Sequence, residues 1–361
     1  MQISPEISLI AGLIALLAGA ELLVRSATKI ALFFNLSPLV IGLTIVAFGT
    51  SAPEIAVALS GSVDNHTGLG FGNVIGSNIF NLLFILGLMA VLKPLRIERK
   101  VIRVDIPLMI IASAGLLVLA LDGCLSKIDS AIMLLGLVLF TVFTLRRGKK
   151  EKNDFNKDFR ESWKTISHGA LTLQFIILPL SVILLGWGSD RVVDGSVVIA
   201  RELGIDEFIV GLTIIAVGTS LPELVTSLLA LVHQRCDMAV GNIVGSNIFN
   251  ILGVTSVMTL VSSGGVTVTA NNLSMDLPVL LASSVFCLPI FLSGYRISRS
   301  EGVVFLIYYL VYITFFAVVT ATDNFYGTYV RISMVYVIPS VFITYVFIVL
   351  KLGKRRIKNQ N

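Results

Sequence analysis

Residues 42–83 read GLTIVAFGTSAPEIAVALSGSVDNHTGLGFGNVIGSNIFNLL, and residues 211–252 read GLTIIAVGTSLPELVTSLLALVHQRCDMAVGNIVGSNIFNIL. The two stretches align without a gap at an offset of 169, and 21 of 42 positions are identical. The matches include Asn, Ser, Glu and Pro, whereas two apolar stretches aligned by accident would match only Leu with Val. The same offset pairs the apolar stretches that follow, so the chain is an internal duplication. Each copy holds five candidate membrane spans. Because five is odd, the second copy enters the membrane from the opposite face. Inverted repeats of this kind are a common plan of secondary transporters, with ligand sites near the midplane.

Composition agrees. The chain has 361 residues, 55% hydrophobic and 14% charged, with a mean hydropathy of +0.92. A soluble domain averages roughly 25% charged residues, so a soluble enzyme, a nucleic-acid binder and a disordered chain are all excluded. The surrounding partner is a lipid bilayer. A spanning helix needs about 20 apolar residues. That length gives eleven candidates, at 7–33, 38–63, 69–92, 104–121, 128–145, 170–200, 205–232, 238–261, 273–293, 302–320 and 331–351. The polar stretch 146–168 divides the halves. The expected organisation is a first repeat over 1–145, a cytoplasmic loop over 146–168, a second repeat over 169–322, and an additional helix with a basic tail over 323–361. The fold class is thus an all-α polytopic membrane protein, an inverted 5+5 transmembrane-helix repeat plus an eleventh C-terminal helix. Residues 9–20 resemble a signal-peptide core, but no basic region precedes them and they have a partner in the second half, so they are kept as span one.

Basic residues set the orientation. With the central loop in the cytoplasm, 23 of the 27 Lys and Arg residues fall on the cytoplasmic side. The positive-inside bias therefore predicts a multi-pass protein of the cell membrane with its N-terminus outside and its C-terminus cytoplasmic. Cys124, Cys236 and Cys287 have no metal-ligand spacing and suggest neither disulfide nor zinc site. His66, His168 and His233 fall in connections and look incidental. Glu21 with Arg25, and Asp190 and Asp194 with Arg191, lie near helix ends, where local ion pairs or snorkelling explain them.

The chemistry sits at mid-membrane depth. The first repeat places Thr50, Ser51, Glu54, Asn73, Ser77, Asn78 and Asn81 there, and the second Thr219, Ser220, Glu223, Asn242, Ser246, Asn247 and Asn250. A buried ionised carboxylate costs several kcal/mol unless paired, so it reads as functional. No Lys or Arg stands in a matching motif to pair with Glu54 or Glu223. Two such carboxylates repel unless protons or a cation neutralise them. Pro53 and Pro222 remove backbone donors and break their helices, which frees carbonyls at Ala47–Gly49 and Ala216–Gly218 for a cation. Thr50 and Glu54 share a helical face, as do Thr219 and Glu223. Asn73, Ser77 and Asn81 form a stripe at four-residue spacing, repeated by Asn242, Ser246 and Asn250. Gly72, Gly76, Gly241 and Gly245 let these helices approach closely. The ligand set is all oxygen, which suits a hard cation: Ca2+ takes six to eight oxygens, while Mg2+ prefers a tighter octahedron and keeps several waters. Softer metals would ask for His or Cys at that depth. Ser60 and Thr226 are assigned to packing, and Asn78 and Asn247 stand one position off the stripe, open to structural hydrogen bonding or to coordination.

The motifs GTSAPE with GNVIGSNIFN, and GTSLPE with GNIVGSNIFN, resemble the paired repeats of the cation/calcium exchanger superfamily, in particular its prokaryotic sodium/calcium exchanger branch. The resemblance covers residues 5–320. It implies ten core spans, no cofactor, and transported Ca2+ and Na+ with the monomer as functional unit. Thr50, Glu54, Thr219 and Glu223 match calcium-ligand positions. Ser51, Ser77, Ser220 and Ser246 match positions lining sodium sites, which the two glutamates share, and Ala47 and Ala216 match backbone-carbonyl ligands. Asn81 and Asn250, with Asn73 and Asn242, line the polar centre. Spans one and six would slide past this core. Potassium-dependent relatives resemble this chain but carry Asp at the position of Asn250, which argues against potassium co-transport. The expected activity is electrogenic, K+-independent Na+/Ca2+ antiport by alternating access. Proton/Ca2+ antiport through the same glutamates is the alternative, and a cation channel is a remoter one.

Overall fold

The computed structural model describes residues 4–34, 36–63, 67–150, 168–202, 216–292 and 295–321. Seven helices among them are long and apolar enough to cross a membrane: Pro5–Ala31, Pro38–Leu59, Gly70–Leu92, Val101–Leu119, Lys127–Gly148, Leu171–Ile199 and Cys236–Val261. Two shorter apolar helices, Leu221–Val232 and Asn272–Leu288, add to these, and a 23-residue helix, Arg299–Ala321, follows. The chain is therefore an all-α membrane protein whose helices repeat in the order that the duplication requires. The start of span seven and all of span eleven lie outside the described residues, as does most of the central loop.

The helices form two compact units, each drawing on both repeats. One takes residues up to Ser77 and Ser126–Val266, and the other takes Asn78–Leu125 and residues from Thr267 onward. In the first unit the long helices Pro5–Phe33 and His168–Glu202 pack along their length. Their contacts run in opposite directions. A Cβ on Gly195 would lie 2.6 Å from the Pro5 carbonyl oxygen, one on Gly188 would lie 2.8 Å from the Leu16 amide nitrogen, and one on Gly19 would lie 3.0 Å from Leu185 Cγ. The leading helices of the two repeats are thus antiparallel, as inverted topology demands. Without a side chain at Gly12 and Gly188 the two backbones touch, and close approach of this kind drives helix pairing in lipid, where no hydrophobic gain is available.

The other broad feature is a set of wide, π-helical turns at repeat-related places. Phe80–Ile85 and Asn250–Val254 form one pair, Val101–Asp105 and Asn272–Asp276 the other. In the second unit, the rings of Phe80, Phe84 and Tyr309 cluster at 4.7–5.4 Å between centroids. Phe286 stands edge-on to Phe305 at 5.0 Å. Short two-residue strands at Leu95–Arg96 and Arg296–Ile297 pair antiparallel between helices of this unit.

The end charges behave as expected with one correction. Arg25 pairs with Glu21, and Arg191 Nη2 lies 3.1 Å from Asp194 Oδ2. His233, however, is not incidental: its Nε2 is 2.7 Å from Glu21 Oε2. The tight turn after Leu221–Val232, with Gln234 at φ 59°, delivers the imidazole to the long helix, and Arg235 donates there to Thr28 Oγ1 and the Val24 carbonyl. Burial lowers the Arg235 pKa from its ordinary value.

Gly188→Leu should lower the thermal unfolding midpoint of the detergent-solubilised protein by several degrees, since overpacking a tight contact costs about 1–3 kcal/mol. Gly186→Leu, two residues away with nothing described within 4 Å, should leave the midpoint within about a degree.

Candidate functional site

Each repeat builds its part of the site from a helix interrupted at the same place. In the first repeat the helix Ala47–Thr50 stops at Ser51, with φ −79° and ψ 5°, and restarts as Ala52–Val63. In the second, Ala216–Gly218 stops before Ser220, with φ −92° and ψ 7°, and Leu221–Val232 begins. Pro53 and Pro222 occupy the second position of the restarted helices, where a missing N–H costs nothing. The carbonyls of Gly49 and Gly218, four residues before each proline, lose their helical donor. Ser189 Oγ donates to the Gly218 carbonyl. Glu54 and Glu223 fall in the first turn of their half-helices, where the positive end of the helix dipole favours a carboxylate.

The two carboxylates are held crosswise. Ser51 Oγ donates to Glu223 Oε1 at 3.3 Å, and Ser220 Oγ donates to Glu54 Oε1 at 3.3 Å. The neighbouring threonines repeat the crossing: Thr50 Oγ1 lies 3.3 Å from Asn242 Oδ1, and Thr219 Oγ1 lies 3.0 Å from Asn73 Oδ1. Each of these bonds joins one repeat to the other at positions related by the sequence offset. Thr50 Oγ1 also lies 3.3 Å from Ser246 Oγ, and Asn250 Nδ2 donates to Ser77 Oγ at 3.3 Å. Both glutamates are 0% exposed.

Of the polar positions that the sequence places at mid-membrane depth, all but Asn78 and Asn81 belong to the first compact unit. Asn81 is buried in the π-helical turn Phe80–Ile85, just past the boundary of that unit. The four-residue stripe holds as α-helix through Ser77, and the wider turns begin at Phe80 and at Asn250. Gly241 and Gly245 admit the neighbouring backbone, with the Leu39 carbonyl and Leu43 Cα 2.8 Å and 2.7 Å from where a Cβ would stand. The positions that would play the same part for Gly72 and Gly76 lie outside the described residues. Ala216 is helical, and Ala47 accepts from the Ser51 amide at 3.0 Å and from Thr50 Oγ1 at 3.4 Å.

Chemically, the site leaves several acceptors and one amide donor, Asn73 Nδ2, unsatisfied among the described residues. Glu54 Oε2, Glu223 Oε2 and Asn250 Oδ1 are buried with no hydrogen-bond partner among the described residues. No group of three His, Cys, Asp or Glu converges among them. Two acids surrounded by hydroxyl, amide and carbonyl oxygens therefore present acceptors that a hard cation or a proton would satisfy.

Two contributors to the site escaped the sequence reading, as did a pair of buried acids outside it. Ser227 Oγ accepts from Asn242 Nδ2 at 3.0 Å and so orients the amide that faces Thr50, while its counterpart in the first repeat is Ala58. Ser189 stands opposite Ala20 in the same comparison. Matching repeat to repeat discards both. A pair of buried acids, Asp105 and Asp276 at an offset of 171, sits in the second unit, and Asn272 Nδ2 donates to Asp276 Oδ2 at 2.9 Å. The shared sequences VDIP and MDLP would have revealed them.

Residues 7–146 and 173–318 match the family described as sodium/calcium exchanger protein. This chain belongs to that family. It is 35% identical to the inner membrane protein YrbG of Escherichia coli over 82% of this chain and 91% of that protein. It is 30% identical to the sodium/calcium exchanger MaX1 of Methanosarcina acetivorans over 84% of this chain and 96% of that one. Among solved structures, the sodium-calcium exchanger NCX_Mj superposes with a TM-score of 0.74 at 30% identity, covering 87% of this chain and 99% of its own. The protein is a multi-pass cation/Ca2+ antiporter and not an enzyme.

Ser227→Ala leaves Asn242 Nδ2 buried without its acceptor, which costs about 1–3 kcal/mol. Thermal unfolding should detect that loss, and Ala58→Ser, its mirror image, should not offset it in the double variant.

Proposed function

We propose that the chain exchanges Na+ for Ca2+ across the cell membrane by alternating access. The observation that carries this reading is the pair of fully buried glutamates, each bound on one oxygen by a serine of the other repeat and unpartnered on the second. Ca2+ held by Glu54, Glu223, Thr50 and Thr219 makes the loaded site neutral. Na+ takes the overlapping oxygens of Ser51, Ser77, Ser220 and Ser246, the carbonyls of Ala47 and Ala216, and the same two carboxylates. Asn73, Asn242 and Asn250 keep the centre polar. The likeness to NCX_Mj, whose structures were obtained after soaking with Na+ and Ca2+, supports this pair of ions.

An empty site would carry two bare carboxylates through the membrane, so the unloaded protein resists the transition and the fluxes are coupled. Three Na+ per Ca2+ moves one net charge, and the membrane potential then contributes about 2.3 kcal/mol per 100 mV. Asn250, an amide in place of a further carboxylate, supports exchange without K+. The distribution of Lys and Arg supports a cytoplasmic C-terminus, and a site built within one chain supports a monomeric unit.

The test is calcium-45 uptake into proteoliposomes. An outward Na+ gradient should drive uptake, a pH gradient should not, and an inside-negative potential should alter the rate. Glu54→Gln and Glu223→Gln should each lower uptake at least on the order of 100-fold, equivalent to about 2.7 kcal/mol. Uptake that follows the pH gradient and ignores Na+ would transfer the same glutamates to proton exchange. Uptake that needs no counter-ion would mark a channel.

A further inference from the structure

We propose that the second compact unit carries a binding site for the phosphate headgroup of an anionic phospholipid, built on the two-stranded ribbon of Leu95–Arg96 and Arg296–Ile297. The ribbon pairs Leu95 with Ile297 and Arg96 with Arg296 directly across the strands, and Ile97 extends it with a bond from its amide to the Tyr295 carbonyl at 2.9 Å. Side chains alternate along a strand. Leu95, Ile97 and Ile297 are accordingly buried, which turns Arg96 and Arg296 outward together as exposed side chains.

Like charges directly opposite each other in an antiparallel pair are destabilising. The fold nevertheless supports more of them at this spot. The Arg99 guanidinium lies 4.7 Å from the centre of the Tyr295 ring, and Tyr295 adopts a left-handed φ of 55°. Arg299 Nη2 reaches the Leu92 carbonyl at 3.5 Å. Lys93, Lys100 and Arg103 are exposed on the same connection. Against them stand Glu98, the buried Asp105, and Glu301, whose Oε2 accepts from the Ser298 amide and hydroxyl at 2.7 Å each. The balance is strongly positive.

The occupant follows from charge and position. Arginine forks match phosphate oxygens in bidentate fashion, so an anion beside the exposed Arg96–Arg296 pair would gain from both guanidinium groups. The ribbon caps the ends of four apolar helices, Leu86–Leu92, Ile106–Leu119, Leu277–Leu292 and Arg299–Ala321, which places it at headgroup depth. There the abundant phosphate is that of lipid, and basic sites between membrane helices hold such groups. The positive-inside bias requires charge on one face but no cross-strand pairing of arginines. The strands related to these by the repeat, Cys124–Leu125 and Val266–Thr267, have no basic residue, so the ribbon itself does not need one.

The test is thermal unfolding of the full chain in neutral detergent with added phosphatidylglycerol or phosphatidylcholine. Phosphatidylglycerol should raise the midpoint by about 2–4 °C over phosphatidylcholine, as a ligand that binds only the folded state does. Arg96→Gln with Arg296→Gln should remove at least half of that difference. Lys354→Gln with Lys358→Gln, an equal loss of charge in the tail, should keep it. If the arginine pair variant does not fold, Arg296→Gln alone carries the comparison, with part of the difference lost. The proposal is overturned by an undiminished lipid effect in the arginine variants, by an equal loss in the tail variant, by no preference for phosphatidylglycerol in the unaltered chain, or by equal stabilisation with inorganic phosphate.

Discussion

Two carboxylates buried in one compact unit impose the constraint to which the rest of the site answers. Removing an ionised carboxylate from water costs several kcal/mol even after relaxation, and a second one nearby adds repulsion. The protein's own compensation is limited. A hydrogen bond to a charged group contributes about 1.5–3 kcal/mol, and a helix N-terminus contributes up to about 2 kcal/mol in a partly buried position. Glu54 and Glu223 each receive one hydroxyl from the opposite repeat and each stand in the first turn of a half-helix. That support holds the carboxylates in place without neutralising them. In the proposed exchange, a bound cation would offset the remaining deficit, and the same deficit would make an unloaded site reluctant to cross the membrane.

The crossing of the hydroxyls gives the duplication a physical purpose. A single repeat has a glutamate and a serine three positions apart on one interrupted helix, too close along the chain for the serine to serve its own carboxylate from the far side. Two inverted copies supply each carboxylate with the other's serine. The departures from this symmetry are instructive. Ser227 fixes the Asn242 amide and Ser189 occupies the Gly218 carbonyl, whereas Ala58 and Ala20 stand at the matching places in the first repeat. The two halves of the site are therefore chemically unequal.

Those same departures mark the border of what the sequence discloses. The repeat, the helices, the breaks at Ser51 and Ser220 and the central carboxylates are legible because each is a local signal: apolar length, proline, or a charge where charge is costly. Ser227 and Ser189 are silent because a hydroxyl in a membrane helix has many uses and only a partner in space selects one. His233 reads as a loop residue until the turn at Gln234 carries it to Glu21. The π-helical turns leave no mark in hydrophobic periodicity, since one extra residue shifts the apolar face of a helix that is apolar all round. For the same reason the helix Val101–Leu119 begins before its expected start at residue 104, absorbing Arg103 into the wide turn Val101–Asp105.

The glycines of the GTS motifs connect the site to the long helices. Because Gly12 and Gly188 bring two backbones into contact, Pro5–Phe33 and His168–Glu202 are packed as one body. The second of these helices then reaches both interrupted helices. A Cβ on Gly49 would stand 2.8 Å from Val182 Cγ2, and one on Gly218 would overlap Val193 Cγ2. Ser189, between those valines, holds the carbonyl that Pro222 sets free. One helix thus passes over both breaks, at the carbonyls of Gly49 and Gly218 that lack a helical donor. A side chain at either glycine would push it away and open the carbonyls to whatever lies beyond. Gly49 and Gly218 are accordingly required by close packing against this helix as much as by the turn that follows them, and any movement of the long pair must change the surroundings of both half-helices together.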